Sequence, residues 1–144
     1  MKVISENRRA RFDYEVLENF EAGIELSGQE VKSAKSGKLN LSASYAVIKK
    51  GEVWLLNSEI PAYQPKNAPI DYDSKRTRRL LLRSPEIKSL MGRLNEKGLA
   101  LVALNAHLKK NLIKIDLGLA RSRKKHDKRE ALKKKAIERE TRSR

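Results

Sequence analysis

The chain has 144 residues, 33 Lys/Arg against 18 Asp/Glu, a formal net charge of +15 and no cysteine. Disulfides, thiolate metal sites and cysteine nucleophiles are thereby excluded, and no apolar run approaches the roughly 18 residues of a membrane span. The excess charge calls for a polyanionic partner, and the polar start from Met1 to Arg9 lacks the apolar middle of a signal peptide, so a soluble cytoplasmic protein without a membrane partner is expected.

Asn7-Arg8-Arg9-Ala10-Arg11 reads as a short basic lead into a strand-like stretch from Phe12 to Phe20, where Phe12, Tyr14 and Val16 alternate with Asp13 and Glu15. Gly23 permits a bend. Between Gly28 and Gly37 the polar-rich run Gln29 to Ser36 predicts a short helix inserted between strands. Tyr45-Ala46-Val47-Ile48 and Val53-Trp54-Leu55-Leu56 flank Lys49-Lys50-Gly51-Glu52, which predicts a hairpin with Gly51 at a positive-φ position. Pro61, Pro65 and Pro69 mark the next loop.

From Ser74 to Gly98 the period becomes helical, and Ile87, Leu90, Met91 and Leu94 fall at i, i+3, i+4 and i+7. Ser84 as N-cap, Pro85 at the first helical position and Gly98 beyond the end give that helix its limits. Alternation resumes at Leu99, Leu101 and Ala103, and again at Ile113, Ile115 and Leu117, with Lys109-Lys110-Asn111 as the turn. Strands at both ends of the body with helices between them predict a mainly β fold, a small antiparallel barrel of OB type with flanking helices, whose open face commonly binds oligonucleotides.

Residues 1–120 form the expected barrel domain and residues 121–144 a basic C-terminal tail. The tail holds twelve Lys/Arg against four Asp/Glu, with Leu132 and Ile137 as its only large aliphatic side chains, so it cannot bury itself. Such a block is an interaction arm for nucleic acid or, less often, an anionic membrane surface. Asp127 stands three residues before Glu130, as in a capping box, ahead of a run of good helix formers, and Glu130, Lys134 and Glu138 can pair at i,i+4. A tail that settles into helix against a polyanion is expected.

Lys75-Arg76-Thr77-Arg78-Arg79 and Arg83 place five basic residues in nine beside Leu80-Leu81-Leu82. On a helix Leu81 and Leu82 would anchor while Arg78 and Arg79 project, making Arg76, Arg78 and Arg79 candidate phosphate ligands, with an ordinary solvated face as the alternative. His107 reads as a packed or surface imidazole, whereas His126 lies in the tail with no core to join, where a base can stack on its ring. Glu21, Glu30, Asp71 and Asp73 have no recognisable spacing for a metal-dependent nuclease, and no glycine-rich phosphate loop is present. No enzymatic activity, metal or cofactor is expected.

Taken in order, Asn7-Arg8-Arg9-Ala10-Arg11, Asp13-Tyr14-Glu15, Phe20-Glu21-Ala22-Gly23-Ile24, Gly28-Gln29-Glu30-Val31-Lys32-Ser33, Arg76-Thr77-Arg78-Arg79-Leu80-Leu81-Leu82, Gly118-Leu119-Ala120-Arg121 and His126-Asp127-Lys128-Arg129-Glu130 resemble the SsrA-binding protein family, also called the small protein B family. The resemblance implies a ribosome-rescue factor whose OB-type barrel binds the tRNA-like domain of transfer-messenger RNA and brings it to stalled ribosomes for trans-translation. It assigns Asn7, Glu21, Leu81 and Lys114 to the RNA-binding surface. It assigns Arg121, Lys124, His126, Asp127, Lys128 and Arg129 to a tail that occupies the decoding centre and the empty messenger channel. Functional association with alanyl-tRNA synthetase and elongation factor Tu is implied as well. Several positions depart from the usual pattern: Ser122-Arg123 stand for Gly-Lys, Ser74 for a proline, Arg83-Ser84-Pro85 for a His-Lys-Arg stretch and Ala106-His107-Leu108 for an aromatic pair. A general RNA chaperone on an OB barrel, of ribosomal-protein type, is the alternative reading.

Overall fold

The computed structural model describes residues 2–96 and 98–123; Lys124, His126, Asp127, Lys128 and Arg129, with the helix signal at Asp127 and Glu130, lie outside them. Among the described residues the chain runs through β1 (Lys2–Glu6), α1 (Arg8–Asp13), β2 (Tyr14–Ile24), α2 (Gly28–Lys35), β3 (Tyr45–Lys49) and β4 (Glu52–Leu56). It continues through a 3₁₀ turn (Pro65–Asn67), β5 (Arg78–Leu81), α3 (Ser84–Arg93), β6 (Leu99–Lys109) and β7 (Leu112–Ser122). All strand pairs are antiparallel. Following them from β6 through β3, β4, β5, β2 and β7 leads back to β6, so the sheet closes into the predicted barrel. β1 adds to the half of β6 that β3 leaves free. None of these helices is long and apolar enough to cross a membrane.

Period-2 alternation decides what fills the barrel. Phe20 and Ala22 of β2, Val53 and Leu55 of β4, Leu80 of β5, Leu101 and Ala103 of β6 and Ile115, Leu117 and Leu119 of β7 join one buried cluster. Ala34 of α2 and Leu90 of α3 pack onto it, as do Leu39, Leu41 and Ile60 from the loops. A second, smaller cluster forms where α1 lies on the outside of the barrel, with Ala10 against Val102, Leu104 and Ala120. Gly118 leaves room for two members of this cluster, because a Cβ there would stand 2.9 Å from Leu104 Cδ1 and 3.2 Å from Val16 Cγ1.

Both hairpins predicted from turn chemistry are present. Lys50 and Gly51 take φ values of 53° and 74°, and Lys110 and Asn111 take 50° and 66°, as a two-residue turn matched to strand twist requires. The helix after Gly28 is present too. Ser27 accepts from Glu30 N at 3.2 Å while Glu30 Oε1 accepts from Ser27 N at 2.9 Å, a complete capping box. In α3 the cap is Arg83 rather than Ser84, and Glu86 Oε1 accepts from Arg83 N at 3.2 Å.

Three expectations are corrected. The stretch predicted as strand from Phe12 begins instead in helix α1, capped by Asn7, and β2 starts at Tyr14 and continues through Gly23 to Ile24. Residues 78–81 form strand β5 instead of a helix, so Arg78 and Arg79 point to opposite faces. Finally, β7 continues to Ser122, with Arg121 still inside the ladder opposite Glu15, so the body extends past residue 120.

Candidate nucleic-acid interface

β5, β2, β7 and β6 are consecutive around the barrel, and their registers place outward-facing side chains in rows. Leu81 lies opposite Gly23, Gly23 opposite Lys114, and Lys114 opposite His107. One step along, Glu21 lies opposite Asp116 and Asp116 opposite Asn105. Leu81, Glu21 and Lys114, far apart in sequence, therefore share one outer face. Leu81 is 46% exposed, unusual for a leucine on a strand. A Cβ on Gly23 would meet Leu81 Cβ at 3.4 Å and Lys114 Nζ at 3.6 Å, so the bare backbone there gives those two side chains a flat floor.

The polar part of this face is ordered by its own hydrogen bonds. Glu21, with its side chain 39% exposed, accepts from Lys109 Nζ at 3.1 Å through Oε1 and meets His107 Nε2 at 3.1 Å through Oε2. The hydrogen bonds from His107 and then Lys109 hold the Glu21 carboxyl below its ordinary pKa, against a small opposing effect of burial, so the group stays ionised. His107 Nδ1 lies 2.9 Å from Asn105 Oδ1, Asn105 Nδ2 donates to Asp116 Oδ2 at 3.2 Å, and Asn19 Nδ2 donates to Asp116 Oδ1 at 3.3 Å.

A bulge in β6 makes this possible. Ala103 pairs with Leu117 but Asn105 with Asp116, one residue out of step. Before the slip Val102 and Leu104 face α1; after it Asn105, His107 and Lys109 face outward beside Glu21.

Arg79 joins the same face from β5, half-exposed between Glu25 Oε1 at 3.8 Å and Glu52 Oε1 at 3.5 Å. The other members of the basic cluster are turned elsewhere. Arg78 is fully buried, with its guanidinium bonded to Glu30 Oε2, to the Ser58 carbonyl and hydroxyl and to the carbonyls of Ser74 and Arg76, so its candidacy as an RNA ligand is withdrawn. Strand alternation sends it inward with Leu80, and Glu30 supplies the counter-charge. Arg76 is half-exposed but holds the same carboxylate, at 2.5 Å from Oε1.

Asn7 is likewise buried, donating to the carbonyls of Leu41 and Ala103 at 2.9 and 2.8 Å while its Oδ1 accepts from Ala10 N at 3.1 Å. Its role is to fix α1 on the barrel, since no part of the amide is free to reach RNA. Arg121 is exposed near the opposite end of β7 from Lys114, roughly 23 Å away at about 3.3 Å per residue, so the chain leaves the body far from the Glu21 face.

Gly23, Asn105, Lys109 and Asp116 join this face although nothing in the sequence marks them as part of a binding site, and His107, a packed imidazole, belongs to it as well. What the sequence does carry is Asn105-Ala106-His107-Leu108-Lys109, where polar and apolar residues alternate as on a half-exposed strand.

A closed antiparallel barrel carrying an ordered face of mixed charge, on a chain of net +15, defines a nucleic-acid-binding barrel protein. More narrowly, the chain belongs to the SmpB protein family, whose model matches residues 4–144. It is 48% identical over 139 residues to the SsrA-binding protein of Gloeothece citriformis (strain PCC 7424), covering 96% of this chain and 90% of that one. It is 49% identical over 140 residues to the SsrA-binding protein of Synechococcus elongatus (strain ATCC 33912 / PCC 7942 / FACHB-805), covering 97% and 91%. A solved chain described as "tmRNA-SmpB: a journey to the center of the bacterial ribosome" matches with a TM-score of 0.69 and 43% identity, over 88% of this chain and 92% of that one.

Proposed function

We propose that this protein binds the tRNA-like domain of transfer-messenger RNA through the face of Glu21, Lys114, Leu81 and Arg79, and brings that RNA to stalled ribosomes for trans-translation. Glu21 carries the reading. A carboxylate on a surface meant only to attract phosphate would repel its ligand, yet this one is kept ionised and half-exposed by two partners that leave it lone pairs to spare. Such a group suits a 2′-hydroxyl or a base amino donor. Lys114 then serves a phosphate and Leu81 an apolar sugar or base surface. A general RNA chaperone needs the cations and has no use for the carboxylate.

The protein acts as a binding factor in the cytoplasm and catalyses no reaction; charging of the RNA falls to alanyl-tRNA synthetase and its delivery to elongation factor Tu. The tail from Arg121, with Lys124, His126, Asp127, Lys128 and Arg129, enters the decoding centre and the messenger channel. Titration of the tRNA-like RNA into wild type and Glu21→Ala tests the reading. Loss of a hydrogen bond to a charged group costs about 1.5–3 kcal/mol, so the variant binds this RNA roughly 10- to 150-fold more weakly and an unrelated duplex equally well or better. Unchanged cognate affinity in a folded Glu21→Ala protein rejects it.

A further inference from the structure

We propose that His107 is a positioning residue of this face, fixing the orientation in which Glu21 meets its ligand. This rests on the proposed role of Glu21 and goes beyond it. The His107 side chain is only 3% exposed, so the ring cannot itself be a contact, whereas the carboxylate it holds is open to solvent. Lys109 holds the other carboxylate oxygen from two residues further along the same strand, so both tethers come from β6 and the carboxylate is gripped from one side.

The ring is fixed in turn by a chain of bonds whose direction is determined. Asp116 can only accept, so Asn105 turns its amide nitrogen to Asp116 and its oxygen to the ring. His107 Nδ1 therefore faces the acceptor oxygen of Asn105, and Nε2 faces Glu21 Oε2. From Asn19 through Asp116, Asn105 and His107 to Glu21, the chain ties three adjacent strands, β2, β7 and β6, to one carboxylate. A side chain held at a defined angle loses less freedom on binding than a free glutamate, which is how buried support of this kind raises affinity.

The test uses two substitutions that divide the ring's functions. His107→Gln carries an amide nitrogen out to the place of Nε2 and keeps a donor on Glu21. His107→Asn reaches only the place of Nδ1 and leaves Glu21 without it. Binding of the tRNA-like RNA to the full chain is measured for wild type, both variants, Glu21→Ala and the Glu21→Ala/His107→Asn double variant, with thermal melts alongside.

The expected result is His107→Gln within about 2-fold of wild type and His107→Asn about 3- to 10-fold weaker, the loss of one ordinary hydrogen bond. The double variant should bind no more weakly than Glu21→Ala alone, because His107 acts through that carboxylate. Wild-type binding by His107→Asn beside weakened Glu21→Ala overturns the proposal and leaves the Glu21 contact standing. Equal losses in the Gln and Asn variants, tracking a lowered melting temperature, also overturn it, since the ring would then be merely structural. Wild-type binding by Glu21→Ala removes the contact reading and this proposal together.

Discussion

Arg78 and Glu30 are both buried, so each supplies the charge that makes the burial of the other tolerable, and neither can be removed without leaving an ion in the interior. Arg78→Ala is accordingly expected to cost about 3–5 kcal/mol in urea denaturation while leaving RNA affinity unchanged under conditions where the protein stays folded. Its neighbour Arg79 behaves oppositely. Exposed ion pairs are worth about 0–1 kcal/mol, so Arg79→Ala should barely move stability, while weakening RNA binding and reducing the salt slope by about one. Burial alone would raise the Glu30 carboxyl, but the bonds from Arg76, the Ser27 amide and Arg78 outweigh it and bring the group down to about 2. A carboxyl lowered from 4.5 on folding contributes stability that is fully present above 4.5 and is lost as pH falls toward 2. That contribution is on the order of 3 kcal/mol, so the urea midpoint should drop across this window. A midpoint independent of pH between 5 and 2.5 would remove Glu30 as the acid-sensitive group.

At the scale of the elements, the β6 bulge lets a single strand serve both α1 and the Glu21 face, and Gly118 leaves Leu104 the room it needs on the α1 side. Gly118→Ala inserts a methyl against Leu104, which is fully buried and has little room to give, so overpacking should destabilise by about 1–3 kcal/mol. An unchanged urea midpoint would show that Leu104 and Val16 can give way without penalty.

The same pair of elements separates what was legible in the sequence from what was not. Hairpins at Lys50-Gly51 and Lys110-Asn111, and the helix opened by Ser27 and Glu30, are written in local turn and capping chemistry. α1 is only six residues long, buries Ala10 alone, and owes its place to Asn7 bonds that reach residues 34 and 96 positions away. β1 is the end strand paired to β6, and its two apolar residues, Val3 and Ile4, are adjacent, so it lacks the apolar alternation by which strands are found. Arg78 looked like a ligand because its partner Glu30 stands 48 positions earlier, a pairing that composition cannot reveal. Leu81, Glu21 and Lys114 were named by resemblance; the supporting Asn105, His107 and Asp116 required the register of four strands.

For the whole molecule, the question is whether body and tail do separable work. Arg123 marks the boundary, since its amide donates to the Asp13 carbonyl at 2.9 Å and its Nε to the Tyr14 carbonyl at 3.2 Å, fastening the residue after β7 to the junction of α1 and β2. A truncation at residue 120 would cut into β7, so the informative variant ends after Arg123. It removes ten Lys/Arg and four Asp/Glu, leaving a body that still carries an excess of Lys/Arg. If recognition lives in the Glu21 face, the truncated protein keeps cognate affinity at moderate salt, while binding to unrelated RNA falls and its log–log salt slope becomes shallower by about 0.7–0.9 for each phosphate that the tail had neutralised. Peptide transfer to charged transfer-messenger RNA on ribosomes stalled without a codon in the A site should nevertheless be abolished if, as proposed, the tail enters the decoding centre. A truncated protein that loses most cognate affinity would mean the tail is the RNA grip and the Glu21 face an accessory. One that still supports tagging would take the decoding role away from the tail.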